Sequence, residues 1–144
     1  MVCSCCECDS AVDRQFTATK AAKELQAYRQ GRVEPTARLL RDSVVEAGLN
    51  RGSLLDIGGG IGALTFELLE RGMSDAVIAD AAAAWVTAAT DEANRRGSPV
   101  HVVLGDFLQV SGTLPSGLDR RALDELIARF GTNRALVMHG REVP

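Results

Sequence analysis

Three acidic residues and a cluster of glycines carry most of the chemistry open to this sequence. Asp56 stands two residues before Gly58, Gly59, Gly60 and Gly62, and Asp80 and Asp106 each follow a later apolar segment. Glycines so spaced permit a tight turn and let a ligand approach the backbone closely. Donors at the start of a following helix can bind polar ligand groups. Gly62 is followed by Ala63-Leu64 rather than by Lys-Ser/Thr, so a phosphate-loop hydrolase is improbable. Three readings remain: a dinucleotide site that meets a pyrophosphate, a site for the cationic methionine moiety of S-adenosylmethionine (SAM), and a turn that binds nothing. The carboxylate of Asp56 immediately before the glycines favours the second, because it suits a cationic ligand better than phosphate oxygens.

The other reactive side chains point less sharply. Cys3, Cys5, Cys6 and Cys8 form a Cys-x-Cys-Cys-x-Cys cluster. Structural zinc sites usually separate their ligand pairs by a loop, so no metal is expected here. A loosely ordered, redox-sensitive tail is the favoured reading, with reduced thiols in the cytosol. His101 lies within a strand pattern and reads as a core or surface residue. His139 ends the last strand pattern, and in a mostly parallel sheet that end faces the ligand crevice. Trp85 either flanks an adenine pocket or packs on the sheet. Tyr28 and Arg29 belong either to a lid over a cofactor or to ordinary helix packing, with Arg29 solvated.

The elements that must position these residues follow from the apolar pattern. Residues 12–49 read as helical, with Phe16, Ala22, Leu25 and Tyr28 on one face and a break at Gly31. Pro35 suits the first turn of a second helix that turns Leu39, Leu40, Val44 and Ala47 inward. Residues 53–57 read as a strand, 63–71 as a helix with Leu64, Leu68 and Leu69 toward the core, and 75–80 as a strand. Residues 83–96 read as an Ala-rich helix stopped by Gly97, and 100–104 as a third strand. This alternation predicts an α/β domain with parallel strands and crossover helices. Beyond it come a Gly/Ser/Pro loop, a helix over 119–130 and a strand over 135–139.

Composition sets limits. The chain has 144 residues, of which 46% are hydrophobic, enough for one domain with its own core. Basic residues number 16 against 19 acidic ones and are mixed with them, so no nucleic-acid partner is expected. No apolar run approaches the roughly 20 residues that span a bilayer. The first residues lack the basic-then-apolar order of a secretory signal. The expectation is a cytoplasmic protein without membrane association.

Asp56-Ile57-Gly58-Gly59-Gly60-Ile61-Gly62 resembles the Asp/Glu-x-Gly-x-Gly-x-Gly motif of the class I SAM-dependent methyltransferases. The resemblance covers about residues 50–108. It implies a Rossmann-like methyltransferase fold, a mostly parallel sheet with flanking helices. It implies that Asp56 helps order the amino-acid end of SAM and that Gly58, Gly59, Gly60 and Gly62 form the wall beneath the cofactor. Asp80 would bind the ribose hydroxyls, Asp106 would approach the adenine amino group, and Phe107 would pack beside the adenine ring or in the core. More loosely, the Cys-rich start, Phe16 and Leu25-Gln26-Ala27-Tyr28-Arg29 are similar to an uncharacterised branch of that family.

The implied organisation is a cysteine-rich segment at 1–11, a helical lid or cap at 12–49, a SAM-binding core at 50–110, and a divergent or truncated part at 111–144. The implied function is methyl transfer to an unidentified small-molecule acceptor, with no catalytic residue assigned. The alternatives are a non-catalytic regulatory or interaction protein that keeps a SAM-binding half-domain and, behind it, an NAD-linked oxidoreductase. The family's sheet has seven strands. With only one strand candidate after Phe107, the sheet is expected to be incomplete, and its open edge predicts weak SAM binding, self-association or poor stability.

Overall fold

A computed structural model describes residues 14–105 and the backbone of 135–139. Its elements, in order, are α1 (Ala18–Arg29), α2 (Pro35–Glu46), β1 (Gly52–Ile57), α3 (Ala63–Leu69), β2 (Met73–Asp80), α4 (Ala83–Arg96), β3 (Val100–Leu104) and β4 (Ala135–His139). The Cys3–Cys8 cluster, Asp106, Phe107 and the helix expected over 119–130 lie outside the described residues.

The strands form one sheet in the order β3-β2-β1-β4. β1 runs parallel to β2, and β2 runs parallel to β3. Each of these pairs is joined by a helix, as parallel pairing requires. The last four residues of β1 and residues 76–79 of β2 are buried, which fits strands covered on both faces. β3 and β4 are the sheet's outer strands among the described residues, and every position of β3 is exposed or half-buried.

β4 pairs antiparallel with β1: Ile57 faces Ala135 and Ser53 faces His139. This corrects the expectation for His139. It lies beside the start of β1, at the opposite end of the sheet from the glycine turn, because reversing a strand exchanges its ends.

The helices bury narrower stripes than the apolar pattern suggested. On α1 the inward face is Ala21, Leu25 and Tyr28, at i, i+4 and i+7, while Ala22 faces solvent. On α2 the buried residues are Ala37 and Val44 with Leu40 beside them, whereas Leu39 is 68% exposed and Ala47 also faces out. Capping fixes both starts. The Thr17 hydroxyl accepts the Lys20 amide, and the Glu34 carboxylate accepts the Ala37 amide just before Pro35 begins the helix.

Two core clusters result. Leu54 and Ala76 meet Leu64, Leu68, Ala37 and Val44 in one. Tyr28, Leu25, Ile61, Phe66, Trp85 and Ala88 make the other.

Buried charge ties the helices together. Glu92 is fully buried and accepts from Arg29 at 2.7 Å, Arg95 at 2.5 Å and Arg96 at 2.6 Å. Hydrogen bonds from Arg95, then from Arg96 and Arg29, hold its carboxyl at about 2, against the upward push of desolvation. Arg96 also lies over the rings of Tyr28 and Phe66, at 5.1 and 4.9 Å from their centroids. Glu67 accepts from Tyr28 at 3.3 Å and from Arg41 at 2.8 Å, which links α1 and α2 to α3. Burial pushes the Tyr28 phenol above its ordinary value of 10.

Candidate functional site

The sheet brings Asp56, the glycine turn and Asp80 together at the C-terminal ends of β1 and β2, the edge where open α/β sheets bind ligands. The turn continues the sheet before leaving it, since the Gly58 amide donates to the Ala79 carbonyl at 2.7 Å. The chain then folds back. The Gly62 amide donates to the Gly59 carbonyl, and α3 begins.

Asp56 is fully buried beneath this turn. Its Oδ2 accepts the hydroxyl of Thr65, one turn into α3, at 2.9 Å. A Cβ added at Gly59 would stand 2.8 Å from the carboxyl carbon of Asp56 and 2.9 Å from Ile78 Cγ2. Gly59 is therefore the lid of the Asp56 carboxyl, and only a residue without a side chain closes it.

Asp80 is half-buried and clamps the turn from the side. Its Oδ2 accepts the Gly60 amide at 2.9 Å, and its Oδ1 accepts the Ala82 amide at 2.8 Å. A carboxylate has about four acceptor positions. Two backbone donors therefore fix its plane and leave acceptor capacity for a pair of hydroxyls. The Gly105 amide donates to the Asp80 carbonyl at 3.0 Å, so β3 ends beside the same residue.

Trp85 forms the third wall. Gly60 has a φ of +59°, and a Cβ there would meet Trp85 Cδ1 at 2.7 Å. The indole thus lies directly on the turn and is itself 9% exposed. Phe16 stands edge-on to it, with ring centroids 5.2 Å apart at 83°. Gly62 is packed in the same way against Ile78 and Phe66. The absent side chains at 59, 60 and 62 are thus accounted for by contacts within the chain.

Of the expected site residues, Asp56, Gly58, Gly59, Gly60, Gly62 and Asp80 converge. Asp106 and Phe107 lie outside the described residues. Trp85 is packed in the core and lies against Gly60 of the turn. Tyr28 and Arg29 take part in packing and ion pairing between the helices. Tyr28 is buried against Phe66 and donates to Glu67, and Arg29 pairs with Glu92 instead of being free in solvent. His101 is exposed on β3, opposite Val77. Thr65 was not singled out in the sequence. Its signal was its place three residues after Gly62, on the helix turn that faces back toward β1. Among the described residues, no three His, Cys, Asp or Glu side chains gather as a metal site, and no helix is long and apolar enough to cross a membrane.

A parallel β-α-β-α-β sheet flanked by helices, with a glycine turn after its first strand, defines a Rossmann-like α/β architecture. No protein-family model and no curated protein matches the chain. Among solved structures it is similar to the crystal structure of a S-adenosylmethionine-dependent methyltransferase from Clostridium acetobutylicum ATCC 824, at 18% identity and a TM-score of 0.45. That match covers 62% of this chain and 37% of the other.

Proposed function

We propose that the chain binds SAM at the glycine turn and serves methyl transfer to a small-molecule nucleophile. The observation that carries this reading is the buried carboxyl of Asp56 directly beneath Gly59. Asp80 suits the ribose of either SAM or a dinucleotide, so it does not discriminate between them. Asp56 does. An ionised carboxyl beneath the turn opposes a pyrophosphate and favours a cation. This counts against the NAD-linked alternative.

The residues fit such a ligand by their chemistry. Asp80, its plane fixed by the Gly60 and Ala82 amides, accepts hydroxyls without reorganising. Asp56 has no exposed surface, so it acts through its field and through the backbone of Gly59. Trp85 offers an apolar wall beside the turn. Asp106 and Phe107, two and three residues after β3, are proposed for the adenine end. When bound, SAM supplies a methyl group activated by its sulfonium. The chain's part is to hold the cofactor and align the acceptor with it.

Isothermal titration of the full chain with SAM and with NAD tests the reading. Saturable SAM binding that falls at least tenfold in Asp80→Ala is expected, since that change removes an anchored acceptor pair. Saturable NAD binding without SAM binding would overturn it.

A further inference from the structure

We propose that Phe16 is a positioning residue for the glycine turn, acting through Trp85, so that the segment leading into α1 sets how firmly the turn holds its ligand. The ligand's identity rests on the SAM reading above. The contact itself does not.

Gly60 is held from two directions. Its amide donates to Asp80 at 2.9 Å, and its open face lies against the indole of Trp85. Trp85 stands at the start of α4, three residues past the capping Ala82, whose amide also donates to Asp80. Indole, turn and carboxylate therefore move together or not at all. An indole that drifts outward removes the support behind Gly60 and loosens the Gly60–Asp80 bond. That bond fixes the plane in which Asp80 accepts hydroxyls.

Phe16 is the group that blocks this drift. Its ring meets Trp85 edge-on, a favoured aromatic geometry. Yet Phe16 is 38% exposed, so burying its own surface does not account for it well. It stands just before Thr17, the N-cap of α1. The helix is anchored independently further along. Ala21 and Leu25 are in the core, Tyr28 donates to Glu67 and Arg29 pairs with Glu92. Truncating Phe16 therefore releases Trp85 without unseating α1.

The test compares wild type, Phe16→Ala and Phe16→Tyr in the full chain, whose single tryptophan makes emission a report on this residue alone. In Phe16→Ala, acrylamide quenching of Trp85 is expected to rise about twofold and the SAM dissociation constant roughly fivefold, the size of one lost aromatic pair. The melting midpoint stays within a few degrees, and Phe16→Tyr restores both values. Unchanged quenching, or equal SAM affinity in wild type and Phe16→Ala, overturns the proposal. So does a fall in melting midpoint that accounts for the whole loss of affinity. If wild type binds no SAM, the SAM reading fails and amide hydrogen exchange decides the positioning role. Faster exchange at Gly60 and Ala82 in Phe16→Ala upholds it, and equal exchange overturns it.

Discussion

Replacing Glu92 by Gln removes the charge at the centre of the helical clamp while keeping its size. The carboxyl is fully buried, accepts from three arginines, and is held at about 2 against an ordinary value of 4.5. That displacement corresponds to about 3 kcal/mol of stability at neutral pH. Arg95 is half exposed, and solvent screening brings the expected loss nearer 2 kcal/mol. The direction with pH follows from a depressed carboxyl. The stabilisation is complete above 4.5 and is lost as pH falls through the folded value. By pH 3 less than half should remain, because the unfolded chain is then protonated and the folded one only partly so. Urea unfolding followed by circular dichroism, on wild type and Glu92→Gln at pH 7, 5 and 3, measures this. The other acids titrate in both proteins, so the difference between the two isolates Glu92. A difference that stays constant from pH 7 to pH 3, or one near zero at pH 7, would refute the reasoning.

Other expectations concern single contacts. Gly31 and Gly60 both have positive φ, +81° and +59°, but a Cβ at Gly31 meets nothing within 4 Å. Gly31→Ala should therefore cost about 1 kcal/mol of backbone strain, and Gly60→Ala a further 1–3 kcal/mol from its clash with Trp85, both read by urea unfolding. Equal losses at the two positions would contradict the packing described. Thr65→Val should cost about 2 kcal/mol by removing the donor to buried Asp56, and Thr65→Ser should recover much of it. The Tyr28 phenol is displaced upward mainly by burial, so its stabilisation is present below pH 10 and lost as pH rises beyond it. Tyrosinate absorbance should appear only with unfolding, and a reversible titration at 10 in the folded chain would contradict the burial.

The alternation from β1 to β3 was legible because each element carried its own punctuation. Continuous apolar runs marked β1 and β2, and Gly97 marked the end of α4. The acids at the ends of β1 and β2 were legible for the same reason, since strand ends fix their position. The inward faces of α1 and α2 were less so. Ala21 and Ala22 are equivalent in composition, and one step of register exchanges core for solvent. The direction of β4 could not be read, because an apolar strand looks alike in both senses. Nor could the clamp. Glu92 is spaced from Arg95 and Arg96 as helix neighbours, but Arg29 comes from 63 residues away and Tyr28 reaches Glu67 across 39. The glycines at 59, 60 and 62 read as space for a ligand. In the fold, that space is taken by Asp56, Trp85, Ile78 and Phe66.

The sequence holds one tyrosine and one tryptophan, and the fold gives them separate duties. Tyr28 sits within the arginine–glutamate clamp, and Trp85 sits against the glycine turn, although both belong to one apolar cluster. Each chromophore therefore reports a different part of the molecule without any label. Second-derivative ultraviolet absorbance, which resolves the tyrosine band from the tryptophan one, follows the joint that holds the helices, and tryptophan emission follows the joint that shapes the ligand edge. If the two signals separate during denaturation, the clamp and the turn come apart in sequence. If they coincide, the shared cluster makes them a single cooperative unit.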